Sequence, residues 1–306
     1  MSDHGQDSPG RRAIGFGALL VIGLIVAWFI SNEVDRQSRT ETVDGVQPYG
    51  ALHLVGNAIV LTEFEGRVVS YDIATRHPTV LLDGLPEPRA ADIGRDGTAC
   101  AVSQGTSAAR SAFLTCTNGM RVDLATFDVP PIDAQARTPA ALLSDIISDG
   151  DTGWIIADAG RMALLHVDRE GSVEIVTRFR QFIGFDYTPR GLSRTNDRVT
   201  VALGGGGITT VAVTDRDQIS VGGSWVAGED SVAVAPSGGS SPLVLVQSLS
   251  SSGDFVTYPL EGLDAVHVHV VDHLDQATGL VFLGDDRLAI AANRRLILVR
   301  ATDLPR

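Results

Sequence analysis

The sequence predicts an all-β domain, a six-bladed β-propeller, preceded by one transmembrane helix. Two observations predict the propeller: an apolar strand, a polar turn and a second apolar strand recur six times, and long stretches with helical periodicity are scarce. The first copy runs from Gly50 to Phe64. The copies recur about every 46 residues, a period typical of propeller blades. An uncharged apolar run near the N-terminus predicts the helix.

Each copy supplies the two innermost strands of one blade. The turn between them is rich in Gly, Asp and Asn, which tight turns favour. The strands themselves are near-continuous runs of Val, Ile, Leu and Ala, as expected where neighbouring blades cover both faces. The six turns are predicted near Asn57, Gly97, Gly150, Asp197, Gly238 and Asp286.

The sixth copy lacks a fourth strand. Its three strands are predicted over Gly279 to Gly284, Arg287 to Ala292 and Leu296 to Ala301. A propeller must close its ring or leave an open sheet edge. We therefore expect Thr40 to Asp44, which precedes the first blade, to pair with the sixth blade as its outer strand.

The N-terminal region carries a membrane signal. Ala13 to Ile30 contains eighteen residues without a charge, close to the length of about 20 that spans a bilayer as a helix. Arg11 and Arg12 precede this run, and the positive-inside rule therefore places residues 1–12 in the cytoplasm. A cleaved signal peptide is the alternative, although its apolar core is usually shorter.

This orientation sets the expected compartment of the rest of the chain. Residues 31–38 are polar and predict a linker. Residues 39–306 then form the propeller outside the cytoplasm, in the periplasm or at the surface of a bacterial cell. The predicted protein is a single-pass membrane protein held by an uncleaved signal anchor.

The charge of the chain excludes two classes of partner. It has 24 basic and 37 acidic residues and a net charge of −13. Binding to nucleic acid or to anionic lipid requires a positive field. Neither is therefore an expected partner of the propeller.

Cys100 and Cys116 are the only cysteines. A polar loop joins the two strands of the second blade that carry them, so the two residues should face each other across a hairpin. A cross-strand disulfide is expected in an oxidising compartment. Two buried free thiols are the alternative.

Several segments resemble a known class of propeller repeat. Trp154 to Val176, WIIADAGRMALLHVDREGSVEIV, resembles part of an NHL-type blade, and Pro88-Arg89 and Pro189-Arg190-Gly191 resemble the openings of the same repeats. Such repeats also occur in gluconolactonase-like and strictosidine-synthase-like proteins. The resemblance therefore implies a six-bladed fold more than it implies an activity.

The resemblance also implies an enzymatic alternative. Metal-dependent lactonases of the six-bladed group hold a divalent cation on the axis with a Glu near the start of the first inner strand and with Asn and Asp side chains. This chain has Gln47-Pro48-Tyr49-Gly50 at that position, which departs from the pattern. No catalytic residue is assigned, and the divalent cation is the one cofactor that the alternative would need.

Three histidines form a weak candidate metal site. His267, His269 and His273 lie close together in the sequence, and the first two point to the same face of a strand. That spacing suits zinc or copper when a third ligand folds back. However, the strand is predicted to be the outermost of its blade, where polar residues alternate with Val because one face meets water.

Arginine and aromatic residues cluster at the predicted mouth of the propeller, the end of the axis where inner strands begin. Such residues dominate binding hot spots, and Arg binds carboxylates in a bidentate manner. The alternatives are that each Arg pairs with a nearby acid, such as Glu87 or Asp186, or packs its stem over an inter-blade core. The predicted ligand-binding residues are Tyr49, Arg89, Arg178, Arg180 and Arg190.

These observations predict a membrane-anchored, extracytoplasmic propeller. Its expected role is that of a binding or scaffolding module for a protein partner or an anionic ligand. The alternative is a metal-dependent hydrolase or lactonase with a site on the axis.

Overall fold

The computed structural model describes most of the propeller. It covers residues 40–105, 111–131, 139–179, 188–195, 198–205, 207–212, 219–220, 230–236, 242–248, 253–259 and 267–301. The chain divides into two units, Met1–Glu41 and Thr42–Arg306. The predicted transmembrane segment, Ala13 to Ile30, lies outside the described residues. In the ranges given above, no helix has the length and apolar character needed to cross a membrane.

Twenty-four strands form six antiparallel sheets of four strands each. The first blade has β2 to β5, the second β6 to β9, the third β10 to β13, the fourth β14 to β17, the fifth β18 to β21, and the sixth β22 to β24 with β1. The strands are β1 Thr40–Val43, β2 Pro48–Val55, β3 Ala58–Glu63, β4 Val68–Asp72, β5 His77–Leu82, β6 Pro88–Ile93, β7 Ala99–Gln104, β8 Ala112–Cys116, β9 Arg121–Asp123, β10 Leu143–Ser148, β11 Gly153–Asp158, β12 Ala163–Asp168, β13 Val173–Arg178, β14 Pro189–Thr195, β15 Arg198–Leu203, β16 Gly207–Ala212, β17 Ile219–Ser220, β18 Asp230–Ala235, β19 Leu243–Gln247, β20 Asp254–Pro259, β21 His267–Leu274, β22 Ala277–Gly284, β23 Arg287–Ala292 and β24 Arg295–Arg300.

The inner strands form a closed ring around the axis. Each of β2, β6, β10, β14, β18 and β22 lies against the next, and β22 lies against β2. Apolar side chains fill the spaces between blades; one cluster joins Val102 of the second blade to Ile156 of the third. The predicted architecture of six blades is confirmed.

The sixth blade closes as predicted. Its strand order is β1-β24-β23-β22, so the N-terminal strand is the outer strand of the last blade. Val43 on β1 is buried and packs in a cluster with Leu296 of β24. The clasp therefore combines backbone pairing with apolar contact.

Every inner strand has a register shift near its first residues. The shifts lie between Pro88 and Ala90, between Pro189 and Gly191, and at the corresponding places of the other four inner strands. A bulge adds one unpaired residue and redirects its side chain. β2 therefore begins at Pro48, before the copy that the sequence predicts from Gly50, because the irregular start interrupts the apolar pattern.

One glycine is required where the first and second blades meet. A Cβ on Gly50 would lie 1.7 Å from the carbonyl oxygen of Arg89. Only glycine allows β2 and β6 to approach this closely. The contact also fixes the neighbouring Tyr49 relative to Arg89.

The predicted disulfide is confirmed. Cys100 on β7 stands directly opposite Cys116 on β8, and their sulfurs are bonded with a Cα–Cα distance of 4.1 Å. Both residues are buried between the second and third blades. The bond closes the hairpin of the second blade.

Polar side chains also tie blades together. Gln104, at the end of β7, donates a hydrogen bond of 3.3 Å to the carbonyl of Ala141 in the next blade. Gln247, at the matching position of the fifth blade, donates one of 3.2 Å to Ala277. These amides satisfy backbone carbonyls that have no strand partner.

Removal of the clasp should destabilise the propeller. We compare a protein that begins at Arg39 with one that begins at Gln47 and therefore lacks β1. Loss of the strand pairing and of buried Val43, together worth roughly 2 kcal/mol or more, should lower the melting temperature by about 5 °C or more. It should also cause self-association through the open edge of β24. Equal melting temperatures and a monomeric shorter protein, measured by calorimetry and light scattering, would show that closure by β1 is dispensable.

Candidate functional site

The axis has a different chemical character at each end. The mouth, where inner strands begin, carries Tyr49 and Arg89 on β2 and β6. At the other end, the last residues of the inner strands line a cavity of about 230 Å³ that we call the axial cavity. Both regions are candidate sites.

At the mouth, aromatic rings and guanidinium groups form a continuous cluster. The rings of Tyr49 and Phe64 meet edge to face with their centroids 5.3 Å apart. Arg89 lies over the Tyr49 ring at 5.5 Å, and Arg294 lies over the Phe64 ring at 4.6 Å. We call these four residues the mouth cluster. It joins the first, second and sixth blades.

Phe64 is the exposed centre of the mouth cluster. It follows β3 in a turn, and 54% of its surface is accessible to solvent. Arg294 lies in the two-residue turn between β23 and β24 with a φ of 57°, a conformation that favours glycine. The sixth blade therefore accepts some backbone strain where it places a guanidinium over Phe64.

Arg89 has partners at the mouth. Its Nη2 donates to Glu87 Oε2 at 3.1 Å and its Nη1 donates to the Tyr49 hydroxyl at 3.3 Å. Pairing with Glu87 was one alternative for this residue. Its Nε is buried without a hydrogen-bond partner in the described part of the chain, as is the Nε of Arg190.

Of the other predicted mouth residues, Arg178 has partners outside the cluster. Arg178 donates to the backbone carbonyls of Pro130 and Arg161, so its guanidinium supports the connection into the third blade, and burial lowers its pKa. Arg180 and Asp186 lie outside the described residues. A binding role for Arg178, Arg180 and Arg190 stays a prediction.

The axial cavity receives side chains from all six blades. Blades one to four contribute its polar wall, and the described residues that blades five and six contribute are all apolar. The polar wall consists of His53, Asp92, Ser148, Ser193 and Arg194, and the facing apolar wall includes Val234, Ala235, Pro236, Leu280, Val281 and Phe282.

A buried acid–base pair lies at the polar wall. His53 Nε2 is 2.8 Å from Asp145 Oδ1, and 11% of the His53 side chain and 2% of the Asp145 side chain are exposed. Asp145 also accepts the backbone amides of Ile146 at 2.8 Å and of Leu192 at 2.6 Å. The carboxylate thus holds the first, third and fourth blades together.

Asp92 has a similar place in the second blade. Its two oxygens accept the backbone amides of Ile93 and of Ser148, the latter at 2.7 Å from the third blade. Burial raises the pKa of Asp92, and the positive charge of His53 opposes this rise. Both carboxylates therefore accept hydrogen bonds from backbone amides that would have no strand partner at the inner edge of the ring.

The surroundings of His53 favour its protonated form. Burial alone would lower its pKa, but the charge of Asp145, the hydrogen bond to Asp145 and the charge of Asp92 together raise the pKa to about 9. Arg194 is the other charged group on the cavity wall. At neutral pH His53 is thus an imidazolium ion.

The axial residues do not fit a divalent cation. A protonated His53 has no free lone pair for a metal, and among the described residues only the two carboxylates of Asp92 and Asp145 lie beside it. Across the described ranges, no three His, Cys, Asp or Glu side chains are placed to hold one metal ion.

The histidine strand lies at the outer edge of the fifth blade, as predicted. His267, His269 and His273 are on β21, which is the last strand of the order β18-β19-β20-β21. His273 is exposed; the side chains of His267 and His269 are outside the described set. Their metal-binding role stays a weak prediction.

A second cavity, of about 490 Å³, lies on the third blade. Four acids, Asp151, Asp168, Glu170 and Glu174, line it with His166 and Arg169. Arg169 Nη1 reaches Asp96 of the second blade at 2.9 Å, and His166 Nδ1 is 3.1 Å from Glu174 Oε1. The ion pair between Arg169 and Asp96 thus links the third blade to the second.

Sequence reasoning missed the axial residues. His53, Asp92 and Asp145 each place a titratable side chain among the apolar residues of an inner strand, and this is the signal that could have identified them. Phe64 and Arg294 were also missed, since each occupies an ordinary turn and only the ring brings them together.

Comparisons with known proteins support the fold alone. No family model matches the sequence, and no curated protein matches it. The structure is similar to a luciferin-regenerating enzyme, with 12% identity, a TM-score of 0.60, and 87% of this chain and 96% of that chain covered. A gluconolactonase of Xanthomonas campestris has 14% identity and a TM-score of 0.57, with 86% and 89% covered. A variant of virginiamycin B lyase from Staphylococcus aureus has 12% identity and a TM-score of 0.52, with 82% and 80% covered.

The acid–base pair predicts a pH-dependent stability. A folded pKa of about 9, above the value of 6.5 for a free histidine, contributes stability that is complete below about pH 6.5 and is lost as the pH rises through about 9. The expected loss is about 3 kcal/mol. Few other side chains change their protonation state between these two pH values, because the chain has no Lys and its cysteines are bonded.

Denaturant titrations between pH 6 and pH 10 measure this loss. The variant His53→Gln should be less stable at pH 6 and should show little further loss above pH 8. His77→Gln, at an exposed histidine of β5, is the matched control and should behave like the parent protein. A parent protein whose stability is flat between pH 7 and pH 10 would contradict the protonated pair.

Proposed function

We propose that this protein is a membrane-anchored, extracytoplasmic propeller that binds a protein partner or an anionic ligand at its mouth. The apolar run from Ala13 to Ile30 supports the anchor. The Cys100–Cys116 disulfide supports an oxidising compartment. Both agree with the predicted periplasmic or cell-surface location.

The mouth cluster carries the binding proposal. Exposed Phe64 offers an apolar contact, and Arg294 and Arg89 flank the aromatic pair with guanidinium groups. Arg67, which is close by, is occupied by Glu63 at 2.7 Å and Glu65 at 2.9 Å. Arg294 forms no ion pair with an acid in the described part of the chain, so it is the group best placed to receive a carboxylate.

Charge also favours this location. In a chain with a net charge of −13, an anion is repelled from most of the surface. An arginine next to an exposed aromatic ring combines apolar burial with a charge-assisted hydrogen bond, which is the usual composition of a binding hot spot.

The binding proposal predicts that two mouth substitutions reduce partner recovery. The full chain is purified in mild detergent, and co-purifying proteins and small molecules are identified by mass spectrometry. Phe64→Ala and Arg294→Ala should each reduce recovery of the specific partner at least about tenfold, as expected for hot-spot residues.

Arg121→Ala is the matched control. Arg121 stacks on Phe113 at 4.3 Å in the same arginine-on-phenylalanine arrangement, but on the outer strands of the second blade. Its substitution should leave recovery unchanged. Full recovery with a folded double variant, Phe64→Ala with Arg294→Ala, would reject the mouth as the binding site.

A hydrolase is the second proposal, and the acid–base pair at the axial cavity is the observation that favours it. A protonated His53, held by Asp145, can act as a general acid on a bound ester or lactone. Water attacks the carbonyl carbon and releases a proton to solvent, the bond to the leaving oxygen breaks, and His53 donates a proton to that oxygen and is then reprotonated from solvent. The fold of gluconolactonases is consistent with this proposal as well. The described axial residues do not supply a site for the divalent cation that a metal-dependent mechanism would need.

Hydrolysis is tested with a panel of small esters and lactones. The parent protein should hydrolyse at least one substrate, and His53→Gln should lower its kcat about a hundredfold or more, the usual contribution of a general acid. A chelator should not change the rate, and His77→Gln should retain it. Absence of turnover across the panel would exclude the hydrolase proposal and leave the mouth proposal untouched.

A further inference from the structure

We propose that the axial cavity is a binding site for a small, uncharged molecule that has an apolar body and one hydrogen-bond acceptor, such as a carbonyl oxygen. This site is distinct from the mouth cluster, and it requires neither partner binding there nor any hydrolytic activity. Three properties of the cavity lead to it: its two-sided wall, its unused donors and its paired charges.

The two sides of the cavity wall favour a ligand with an apolar part and a polar part. The described lining residues of blades five and six are all apolar, among them Val234, Leu280 and Val281. An apolar surface of the ligand is favoured against this side because burial there removes it from water. The opposite side, from blades one to four, carries the groups that form hydrogen bonds.

Two donors on the polar wall have no protein acceptor. Ser193 is buried and lines the cavity, and its hydroxyl forms no hydrogen bond within the described residues. His53 uses only Nε2, towards Asp145, and its Nδ1 has no partner in the described ranges. The raised pKa keeps a proton on both ring nitrogens, so Nδ1 is a donor. A carbonyl oxygen that enters the cavity can accept a hydrogen bond from such a donor.

The charged side chains of the cavity wall already form ion pairs or hydrogen bonds within the protein. His53 pairs with Asp145, Arg194 pairs with Asp149, and both oxygens of Asp92 accept backbone amides. A charged ligand would lose its hydration and gain no unpaired counter-charge. An uncharged ligand avoids this cost.

The volume limits the size of the ligand. The cavity holds about 230 Å³, less than the roughly 300–1,000 Å³ that drug-sized ligands occupy. A single six-membered ring with one substituent fits this range. A larger amphiphile does not fit unless part of it extends out of the open end of the cavity.

Three probes with the same ring test the proposal: cyclohexanone, the cyclohexylammonium ion and the cyclohexanecarboxylate ion. Binding is measured on the full chain in detergent through the NMR signals of the His53 ring, assigned with His53→Gln, and free probe is measured in detergent alone. Cyclohexanone should shift the His53 signals and leave those of His77 in place. Each charged probe should bind at least about tenfold more weakly.

Ser193→Ala and Ser103→Ala form the matched pair of variants. Both serines are buried, but Ser103 lies on β7 and does not line the cavity. Ser193→Ala should weaken cyclohexanone binding about fivefold, the value of one hydrogen bond, and Ser103→Ala should not change it. Melting curves of both variants confirm their fold.

Three results would each overturn the proposal. The first is no shift of the His53 signals at millimolar cyclohexanone. The second is a charged probe that binds as tightly as the ketone. The third is equal binding by Ser193→Ala and the parent protein. None of these results bears on the mouth cluster, whose test measures recovery of a partner. Hydrolysis is tested separately by turnover of esters and lactones, so a cavity that binds the ketone without turnover would separate the two proposals.

Discussion

The structure depends on mutual coverage of blades. Each sheet has two apolar faces, and only the neighbouring blades can cover both, so every blade requires the ring to close. The clasp of β1 on β24 completes that ring with a strand from the other end of the propeller. Because closure fixes the position of every inner strand, it also fixes the distances between residues that are far apart in sequence, including both candidate sites.

Closure of the ring leaves backbone amides without strand partners at the axis. The inner edge of each sheet has no further strand to pair with, and its backbone amides need other acceptors. Asp92 and Asp145 provide them, since each accepts an amide from the next blade. The same carboxylates then surround His53 with negative charge and keep it protonated. One pair of acids thus stabilises the ring and sets the chemistry of the axial cavity.

The two ends of the axis suit different ligands for this reason. At the axial end, charges are paired with each other, and the unused groups are hydrogen-bond donors beside an apolar wall. At the mouth, Arg294 stacks on exposed Phe64 in an otherwise acidic domain. A carboxylate-bearing partner is therefore favoured at the mouth, and an uncharged molecule is favoured in the cavity.

The sequence by itself determined the blade count, the clasp and the disulfide; β23 begins and ends where it predicts, whereas β22 begins two residues earlier and β24 is shifted by one residue. These features follow from local patterns of apolar runs and turns, which depend on neighbouring residues only. The bulged starts of the inner strands were not predicted, because a shift of one residue leaves no clear pattern. The axial pair and the mouth cluster were decided by the tertiary structure. His53 and Asp145 are 92 residues apart and sit in blades one and three, and Phe64 meets Arg294 only because the sixth blade closes against the first.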